Sequence, residues 1–259
     1  MAAAVLLAAL LFGPIWADSS GNAGAPVYSA ASIANSAAAS AGYYAPDTFI
    51  SIYGTNLSTV VRTISASDVS GGLLPTTLGG VHVLINGIPA DIWYVSPTLV
   101  NALVPSLLAS GAATLQVISN GIAGPAVQIQ LGATAPAFFQ IDASHVLATH
   151  LDGSVVSSSS PAHGGEWIIL WTTGMGPTVP AAIPNQVAQI AAPLASPIQI
   201  LLNGAAVSPS NIDYAGAVVG YAGLYQINLL LPDGIAPNAE IRVATPDQIS
   251  PAGRFLIVQ

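Results

Sequence analysis

Short apolar runs separated by turn residues dominate the chain from Thr48 onward. Each run is four to seven residues long and rich in β-branched or aromatic side chains, which is typical of β-strands. Several runs alternate apolar and polar positions, so that one face packs in a core and the other meets water. The runs that predict strands are 49–53, 81–85, 92–95, 114–118, 127–131, 167–171, 198–202, 225–231, 240–244 and 255–258.

Turn signals lie between these runs and leave little room for helices. Asn-Gly or Asp-Gly pairs, which tolerate the positive φ angles of tight hairpins, occur at 86–87, 120–121, 152–153, 203–204 and 233–234. Twenty prolines would also interrupt long helices. We expect an edge strand around 27–36 and a loop, rather than a helix, at 185–192. The chain is therefore predicted to be all-β.

The two halves of the chain repeat the same order of motifs. In each half, a strand ending in Asn-Gly is followed by a tyrosine and then by a strand ending in proline. These features lie at 81–87, Tyr94 and 100–105 in the first half and at 198–204, Tyr214 and 227–232 in the second. The agreement in order and residue type indicates an internal duplication. We predict two tandem immunoglobulin-like β-sandwich domains, a first module at 27–132 and a second module at 133–259.

The N-terminal residues are typical of an export signal. Residues 2–12 are uncharged and apolar, Gly13 and Pro14 interrupt the run, and Ala17 is small enough for a cleavage site. The run is too short to span a bilayer. We predict a signal peptide at 1–17 and a linker at 18–26, so the protein is expected to be secreted or on the cell surface. A membrane anchor or a buried helix is the alternative.

Charge is scarce and excludes several classes of partner. Charged residues make up 5% of the chain, against about 25% in an ordinary soluble domain. The net charge is −8, with three arginines and no lysine. This composition excludes a basic surface for nucleic acid or for an anionic membrane. The absence of cysteine excludes disulfides, thiol catalysis and cysteine-ligated metals.

The histidines and acids between positions 145 and 166 do not predict a metal site. On a strand, His145 and His150 would face opposite sides, and Asp152 is followed by glycine, as in a hairpin turn. His163 and Glu166 fall in a loop before a strand rather than on a helix, where a zinc-binding H-E-x-x-H motif would lie. We expect ordinary loop and turn interactions here.

No motif in the sequence indicates catalysis. The chain lacks a G-x-S-x-G nucleophile motif. Glycoside hydrolysis needs two neighbouring carboxyl groups, but the chain has two glutamates, Glu166 and Glu240, and its aspartates fall mostly in turns. We predict that the protein is not an enzyme and has no catalytic residues, no metal and no cofactor.

Aromatic side chains are the best candidates for ligand binding. Trp93 and Tyr94 are adjacent, so a strand would point one inward and the other outward. An insertion in the second half carries several tyrosines, and exposed rings can stack on sugars or anchor a protein partner. Packing in the core is the alternative. The candidate ligand-binding residues are Tyr214, Tyr221, Tyr225, Trp93 and Trp167.

Several motifs together resemble a known family. They lie at 45–57, 74–81, 85–90, 94–97, 172–177 and 220–228. In these stretches the chain resembles C-terminal domains found in large secreted proteins of Acidobacteria-type (Solibacter-like) soil bacteria. It departs from the family's usual Gly-Gln-Ile-Asn at 98–101, where it has Thr-Leu-Val-Asn, but it keeps Gln226 in the second copy. The resemblance implies paired IPT/TIG-like sandwiches outside the cytoplasm and carries over no catalytic residue.

These observations predict a secreted, non-catalytic β-sandwich module for extracellular interaction, adhesion or surface presentation. A carbohydrate-binding module with exposed tryptophan or tyrosine platforms is the first alternative. An extracellular hydrolase of an unrecognised type is the second. The expected partner is an extracellular protein or polysaccharide and not nucleic acid, with no membrane contact beyond the export signal. The oligomeric state stays open.

Overall fold

A computed structural model describes residues 24–259, and its regular structure is almost entirely β. The predicted signal peptide at 1–17 and most of the linker at 18–26 lie outside the described residues. In this described range three 3₁₀ helices occur, at Ala30–Ser32, Ala66–Asp68 and Pro209–Asn211. No helix within 24–259 is long and apolar enough to cross a membrane.

The strands of the first module are β1 (Ile33–Asn35), β2 (Phe49–Tyr53), β3 (Arg62–Thr63), β4 (Val81–Ile85), β5 (Ile88–Pro89), β6 (Asp91–Val95), β7 (Leu99–Leu103), β8 (Gly111–Ser119), β9 (Ile122–Ala123) and β10 (Val127–Leu131). Those of the second are β11 (Ala137–Phe138), β12 (Ala148–His150), β13 (Trp167–Thr173), β14 (Ala192–Pro193), β15 (Gln199–Leu202), β16 (Ala205–Ala206), β17 (Ile212–Ala217), β18 (Tyr225–Leu230), β19 (Ala239–Ala244) and β20 (Phe255–Leu256).

Each module consists of two antiparallel sheets. In the first, the sheets have the orders β1-β2-β7-β6-β3 and β10-β8-β4-β5, with β9 beside β8. In the second, they have the orders β11-β13-β18-β17-β14, with β12 beside β13, and β16-β15-β19-β20. Both follow the A-B-E-D and C-F-G strand arrangement of immunoglobulin domains. The predicted fold class is confirmed, whereas the boundary at 132/133 stays a prediction.

Alternating side chains fill the space between the two sheets of each module. In β4, Val81, Val83 and Ile85 are fully buried, while His82 and Leu84 between them are partly exposed. These residues belong to one hydrophobic cluster of the first module, and a separate cluster fills the second. The period-two pattern that predicted these strands therefore also decides which face is buried.

The two modules repeat each other down to single hydrogen bonds. Asn86 and Asn203 open two-residue hairpins with φ angles of 50° and 49°. The side-chain oxygen of Asn86 accepts the Thr114 N–H at 2.8 Å, and that of Asn203 accepts the Glu240 N–H at 2.9 Å. Each asparagine thus fixes its hairpin and ties it to the neighbouring strand.

A bulge recurs at the tyrosines of the repeat. The register of β6 shifts between Ile92 and Tyr94, and that of β17 shifts between Ile212 and Tyr214. Beyond the shift, Tyr94 lies opposite Asn101, and Tyr214 lies opposite Asn228. The bulge disturbs the simple alternation expected at 93–94, because Tyr94 is buried while Trp93 is only partly so.

The two equivalent asparagines of the repeat make side-chain contacts on their own sheets. Asn101 is fully buried and accepts a hydrogen bond from the Ser51 hydroxyl at 2.9 Å. Asn228 accepts one from the Gln226 amide at 3.1 Å.

A third hydrophobic cluster, the junction cluster, joins the two modules. Its buried members are Ala37, Ala38, Phe49, Leu103, Ala137, Phe139, Leu147 and Leu224. The Phe49 ring meets Phe139 of the second module edge-on, with centroids 6.2 Å apart. The Phe49 N–H also donates to the Thr173 hydroxyl at 3.2 Å. The modules are therefore in direct apolar and hydrogen-bonded contact.

Gly223 allows the loop between β17 and β18 to approach the first module. Its φ angle is +67°, and a Cβ at this position would lie 2.2 Å from the Leu103 side chain. Glycine alone meets both requirements.

The segment at 185–192, predicted to be a loop rather than a helix, contains no helix and leads into the short strand β14.

Replacing Asn86 or Asn203 by alanine is expected to lower the free energy of unfolding by about 1–2 kcal/mol, because alanine is disfavoured at positive φ. Loss of the side-chain hydrogen bond adds roughly 1 kcal/mol. Urea unfolding followed by tryptophan fluorescence measures both effects. Asn86→Asp is the matched control, since aspartate tolerates this backbone region and keeps the acceptor. A loss at one hairpin without the other would contradict their equivalence.

Candidate functional site

The aromatic residues proposed from the sequence lie mainly against the protein itself. Trp93 packs edge-on to Phe49, with ring centroids 5.3 Å apart, beside the junction cluster. Tyr221 packs against the same cluster and is partly exposed. Tyr225 is buried and donates its hydroxyl to the Gly176 carbonyl at 3.0 Å. Its ring therefore offers no free face to a ligand.

The remaining two candidates do not combine with these into a platform. Tyr214 is partly buried and donates its hydroxyl to the Ala217 carbonyl at 2.9 Å. Trp167 is partly buried at the start of β13. Within residues 24–259, Tyr53 is the one aromatic side chain that is more than a third exposed. A flat sugar-binding surface needs exposed rings, and the described part of the chain does not present a pair of them.

A small cavity at the junction gathers polar groups that sequence reasoning missed. It measures about 40 Å³ and lies between the two modules. Its lining includes the carboxyl-bearing Asp47 and Asp91, and Ser106, from the first module, and Asn185 and Gln186 from the second. We call it the junction cavity.

Strand pairing explains why the two aspartates meet. Asp47 sits in a left-handed turn, with φ +58°, and its N–H donates to the Val104 carbonyl at 3.0 Å. Asp91 opens β6 and lies opposite Leu103 of β7. Both carboxyl groups therefore flank the end of β7. Most described aspartates lie in turns or bends, as expected, but Asp91 lies in a strand and is 5% exposed.

Burial leaves both carboxyl groups in an unfavourable environment. Burial raises the pKa of Asp47 to about 6. Burial, with the charge of Asp47 as a second cause, raises the pKa of Asp91 to about 7. Asp91 Oδ1 and Ser106 Oγ are buried and have no hydrogen-bond partner within residues 24–259.

The three arginines of the chain interact elsewhere. Arg62 pairs with Asp68, and Arg242 donates to the Ser250 carbonyl at 2.7 Å. Arg254 donates to backbone carbonyls that include that of Ala143, at 3.4 Å. Since the chain has no lysine, no side-chain amine can pair with the carboxylates of the junction cavity.

A second polar cluster brings together Ser160, His150 and Glu166. His150 Nδ1 lies 2.5 Å from Glu166 Oε1, and His150 Nε2 lies 3.3 Å from Ser160 Oγ. This is the hydrogen-bond order of a serine hydrolase triad. The absence of a sequence motif around Ser160 explains why the order was not predicted.

The surroundings of this cluster favour a structural ion pair over a catalytic triad. Nε2 also lies 3.2 Å from the Ser160 carbonyl, to which a charged ring would donate. Burial opposes protonation of His150, but its hydrogen bonds to Glu166 and the Ser160 carbonyl, with the charges of Glu166 and Asp152, outweigh burial and raise its pKa. Ser160 is exposed in a tight turn and does not line the junction cavity.

The other histidines and acids of this region make local contacts. His145 Nδ1 lies 2.8 Å from Asp142 Oδ2, and the His163 N–H donates to Glu166 Oε2 at 2.9 Å. In the part of the chain that the structure describes, no three His, Asp or Glu side chains are grouped to hold a metal.

A wider depression lies on the second module, and its lining shares no residue with the junction cavity. Its volume is about 560 Å³. Most residues of 202–211 and all of 232–236 line it, including Asn211 and Asp233. Asn211 already donates to the Leu230 carbonyl at 2.9 Å. The lining contains no aromatic residue, so the depression lacks the rings that a sugar-binding groove would use.

Exposed aliphatic side chains lie on loops that contain or neighbour residues of the junction cavity, and Ile183 itself lines it. Some of these loops are bonded to each other: Leu74 N–H donates to the Asn185 carbonyl at 2.9 Å, and Ala188 N–H to the Tyr221 carbonyl at 2.8 Å. We call these side chains the junction rim. Its members are Leu73, Leu107, Val179, Ile183, Ile190 and Val219, between 48% and 69% exposed. They are six of the twelve large apolar side chains exposed in residues 24–259.

No protein-family model matches the chain, and no curated protein does so either. Among solved structures, a surface glycan-binding protein of Prevotella bryantii is 13% identical, with 89% of this chain and 42% of that chain covered and a TM-score of 0.29. A Bacteroides ovatus surface glycan-binding protein in complex with a mixed-linkage heptasaccharide is 12% identical, with 84% and 43% covered and a TM-score of 0.34. The I9–I11 tandem of titin is 12% identical, with 83% and 61% covered and a TM-score of 0.25.

The chain spans less than two thirds of each of these structures. TM-scores of this size carry no argument about function, and the fold assignment depends on the sheets themselves. The resemblance to the C-terminal domains of secreted soil-bacterial proteins stays a prediction.

In buffer with EDTA, the melting temperature is expected to fall as the pH rises from about 5 to about 8. The pKa values of Asp47 and Asp91 lie above their ordinary value of 3.8 in the folded protein. Their contribution to stability is therefore complete below pH 3.8 and is lost as the pH rises through about 6 to 7. Differential scanning fluorimetry measures the change. Asp91→Asn should reduce the fall in melting temperature, and the exposed control Asp213→Asn should not. A melting temperature that rises from pH 5 to pH 8 would count against the raised pKa values of Asp47 and Asp91.

His150→Gln is expected to lower the melting temperature more at acidic than at alkaline pH. The raised pKa means that the charged His150–Glu166 pair contributes below the unfolded pKa of about 6.5 and is lost as the pH rises through the folded value. Ser160→Ala is the matched variant and should change neither the stability nor the hydrolysis of p-nitrophenyl acetate. Hydrolysis that Ser160→Ala abolishes would instead identify a catalytic serine.

Proposed function

We propose that the chain is a non-catalytic interaction module of the extracellular space that binds a protein partner through the junction rim. The concentration of exposed aliphatic side chains on these joined loops carries the proposal. Exposed apolar side chains gathered in one region are typical of interaction surfaces. Ig-like sandwiches commonly present such loops at one end of rigid sheets.

The chemistry of the rim favours a protein over a carbohydrate. Its side chains are leucine, isoleucine and valine, which pack well against apolar protein side chains but provide no aromatic face for a sugar ring. The rim also carries no arginine or lysine, so an acidic partner gains nothing from it. We therefore expect a partner with an apolar contact surface.

The composition of the chain supports an extracellular location. The predicted signal peptide at 1–17 would direct export, and the low content of charged residues is unlike that of an ordinary soluble domain. The all-β tandem architecture is compatible with adhesion or surface presentation, in which several weak contacts add up.

Carbohydrate binding is the second candidate function. Tyr53 is half exposed and Tyr221 is partly exposed near the junction cavity, so these rings are the places to look for it. A hydrolase is disfavoured at the junction, because a cavity of about 40 Å³ is far smaller than the roughly 300 Å³ of a small ligand pocket.

Panning a random-peptide phage library on the immobilised protein tests the proposal. Apolar peptides should be enriched, and their affinity should fall at least about tenfold, or roughly 1.4 kcal/mol, for Ile183→Asp and for Leu107→Asp. A charge placed in an apolar contact is left without a partner, which explains the expected loss.

Ile122→Asp is the matched control, because Ile122 is an exposed isoleucine outside the rim. It should leave peptide binding unchanged. Peptides that bind both rim variants normally would overturn the assignment. Saturable binding to a panel of polysaccharides, lost in Tyr53→Ala or Tyr221→Ala, would move the conclusion to the carbohydrate-binding function.

A further inference from the structure

The junction cavity contains oxygen atoms whose hydrogen-bonding needs the described residues do not meet. Asp91 is 5% exposed, and its Oδ1 has no hydrogen-bond partner in the region 24–259. Ser106 Oγ in the same cavity is buried and likewise lacks a partner in that region. A buried carboxylate without a partner is strongly unfavourable, so these atoms point to a ligand.

The unmet requirement is for positive charge. Asp47 lines the same cavity and lies close enough to Asp91 to influence its ionisation. The chain's three arginines are engaged elsewhere and it has no lysine. A cation from solution is the partner that would neutralise both carboxylates at once.

The donor atoms select the kind of cation. The side chains around the cavity offer oxygens: two carboxylates, the Ser106 hydroxyl, and the amides of Asn185 and Gln186. Hard cations prefer such oxygens, whereas zinc and copper favour the nitrogen and sulfur ligands that this set lacks. Ca²⁺ accepts six to eight oxygens in irregular geometry, while Mg²⁺ demands near-ideal octahedral geometry.

We propose that the junction cavity is a Ca²⁺ site, in which Asp47 and Asp91 bind the ion together with neutral oxygens of the second module. The volume of about 40 Å³ suits one or two water-sized species. Because Asn185 and Gln186 belong to the second module, the ion ties the two sandwiches together. The site goes beyond the proposed function and does not depend on it.

Calcium titration of the full chain at about pH 8 and constant ionic strength tests the proposal, with EDTA-treated protein as the reference. Dissociation constants of about 0.1–1 mM are typical of extracellular Ca²⁺ modules. About 10 mM CaCl₂ should therefore raise the melting temperature by roughly 3–8 °C. Isothermal titration calorimetry should give a stoichiometry of one ion per chain.

Asp91→Asn separates loss of the site from loss of the fold. This variant should lose the response to CaCl₂ and yet melt in EDTA no lower than the wild type, because it removes a buried charge. Asp213→Asn makes the same chemical change at an exposed position and should keep the full response.

Three results would overturn the proposal. The first is a wild-type melting temperature that CaCl₂ leaves unchanged. The second is a response of equal size to MgCl₂ or to NaCl of equal ionic strength. The third is an Asp91→Asn variant that still responds like the wild type. None of these results bears on peptide binding by the junction rim, so the two proposals fail independently.

Discussion

The Phe49 ring packs against Trp93 on its own module and Phe139 on the other, and the arrangement of the whole junction depends on these contacts. Replacing a buried phenylalanine by alanine typically costs about 3–5 kcal/mol, a large fraction of the stability of a domain. The contact fixes the second module against the end of β7. It thereby places the loops of both modules around one cavity, and several of these loops carry exposed aliphatic side chains.

The scarcity of charge makes the junction unusual. In most proteins a buried carboxylate can be matched by a nearby lysine or arginine, but this chain has three arginines and no lysine, and each arginine is engaged elsewhere. Only protons or ions from solution can therefore neutralise the carboxylates of Asp47 and Asp91. The same scarcity leaves aliphatic side chains, rather than salt bridges, as the means by which the surface can select a partner.

The strands were predictable because their information is local. The runs at 49–53, 81–85 and 127–131 match β2, β4 and β10 residue for residue, since alternation and Asn-Gly turns act over a few positions. The candidate site was not predictable in this way. Asp47 and Asp91 are brought together only by their separate contacts with β7, and the bulge after Ile92 changes the side-chain parity that a sequence pattern assumes. The surroundings of the aromatic candidates were not predictable for a related reason. Trp93 and Tyr221 pack against the junction cluster, and the contact between modules that forms this cluster leaves no local sequence pattern.

The positions of the three arginines also affect how readily trypsin-like proteases can cleave the folded protein. Trypsin-like enzymes cleave after lysine or arginine and require a segment that can leave its sheet. Arg62 and Arg242 lie in strands, and Arg254 immediately precedes one. The guanidinium groups of Arg242 and Arg254 are bound to backbone carbonyls. The long proline-rich loops, where nicking would ordinarily begin, contain no such site in residues 64–241. Cleavage after Arg62 or Arg242 would therefore report the opening of a sheet rather than the motion of a loop.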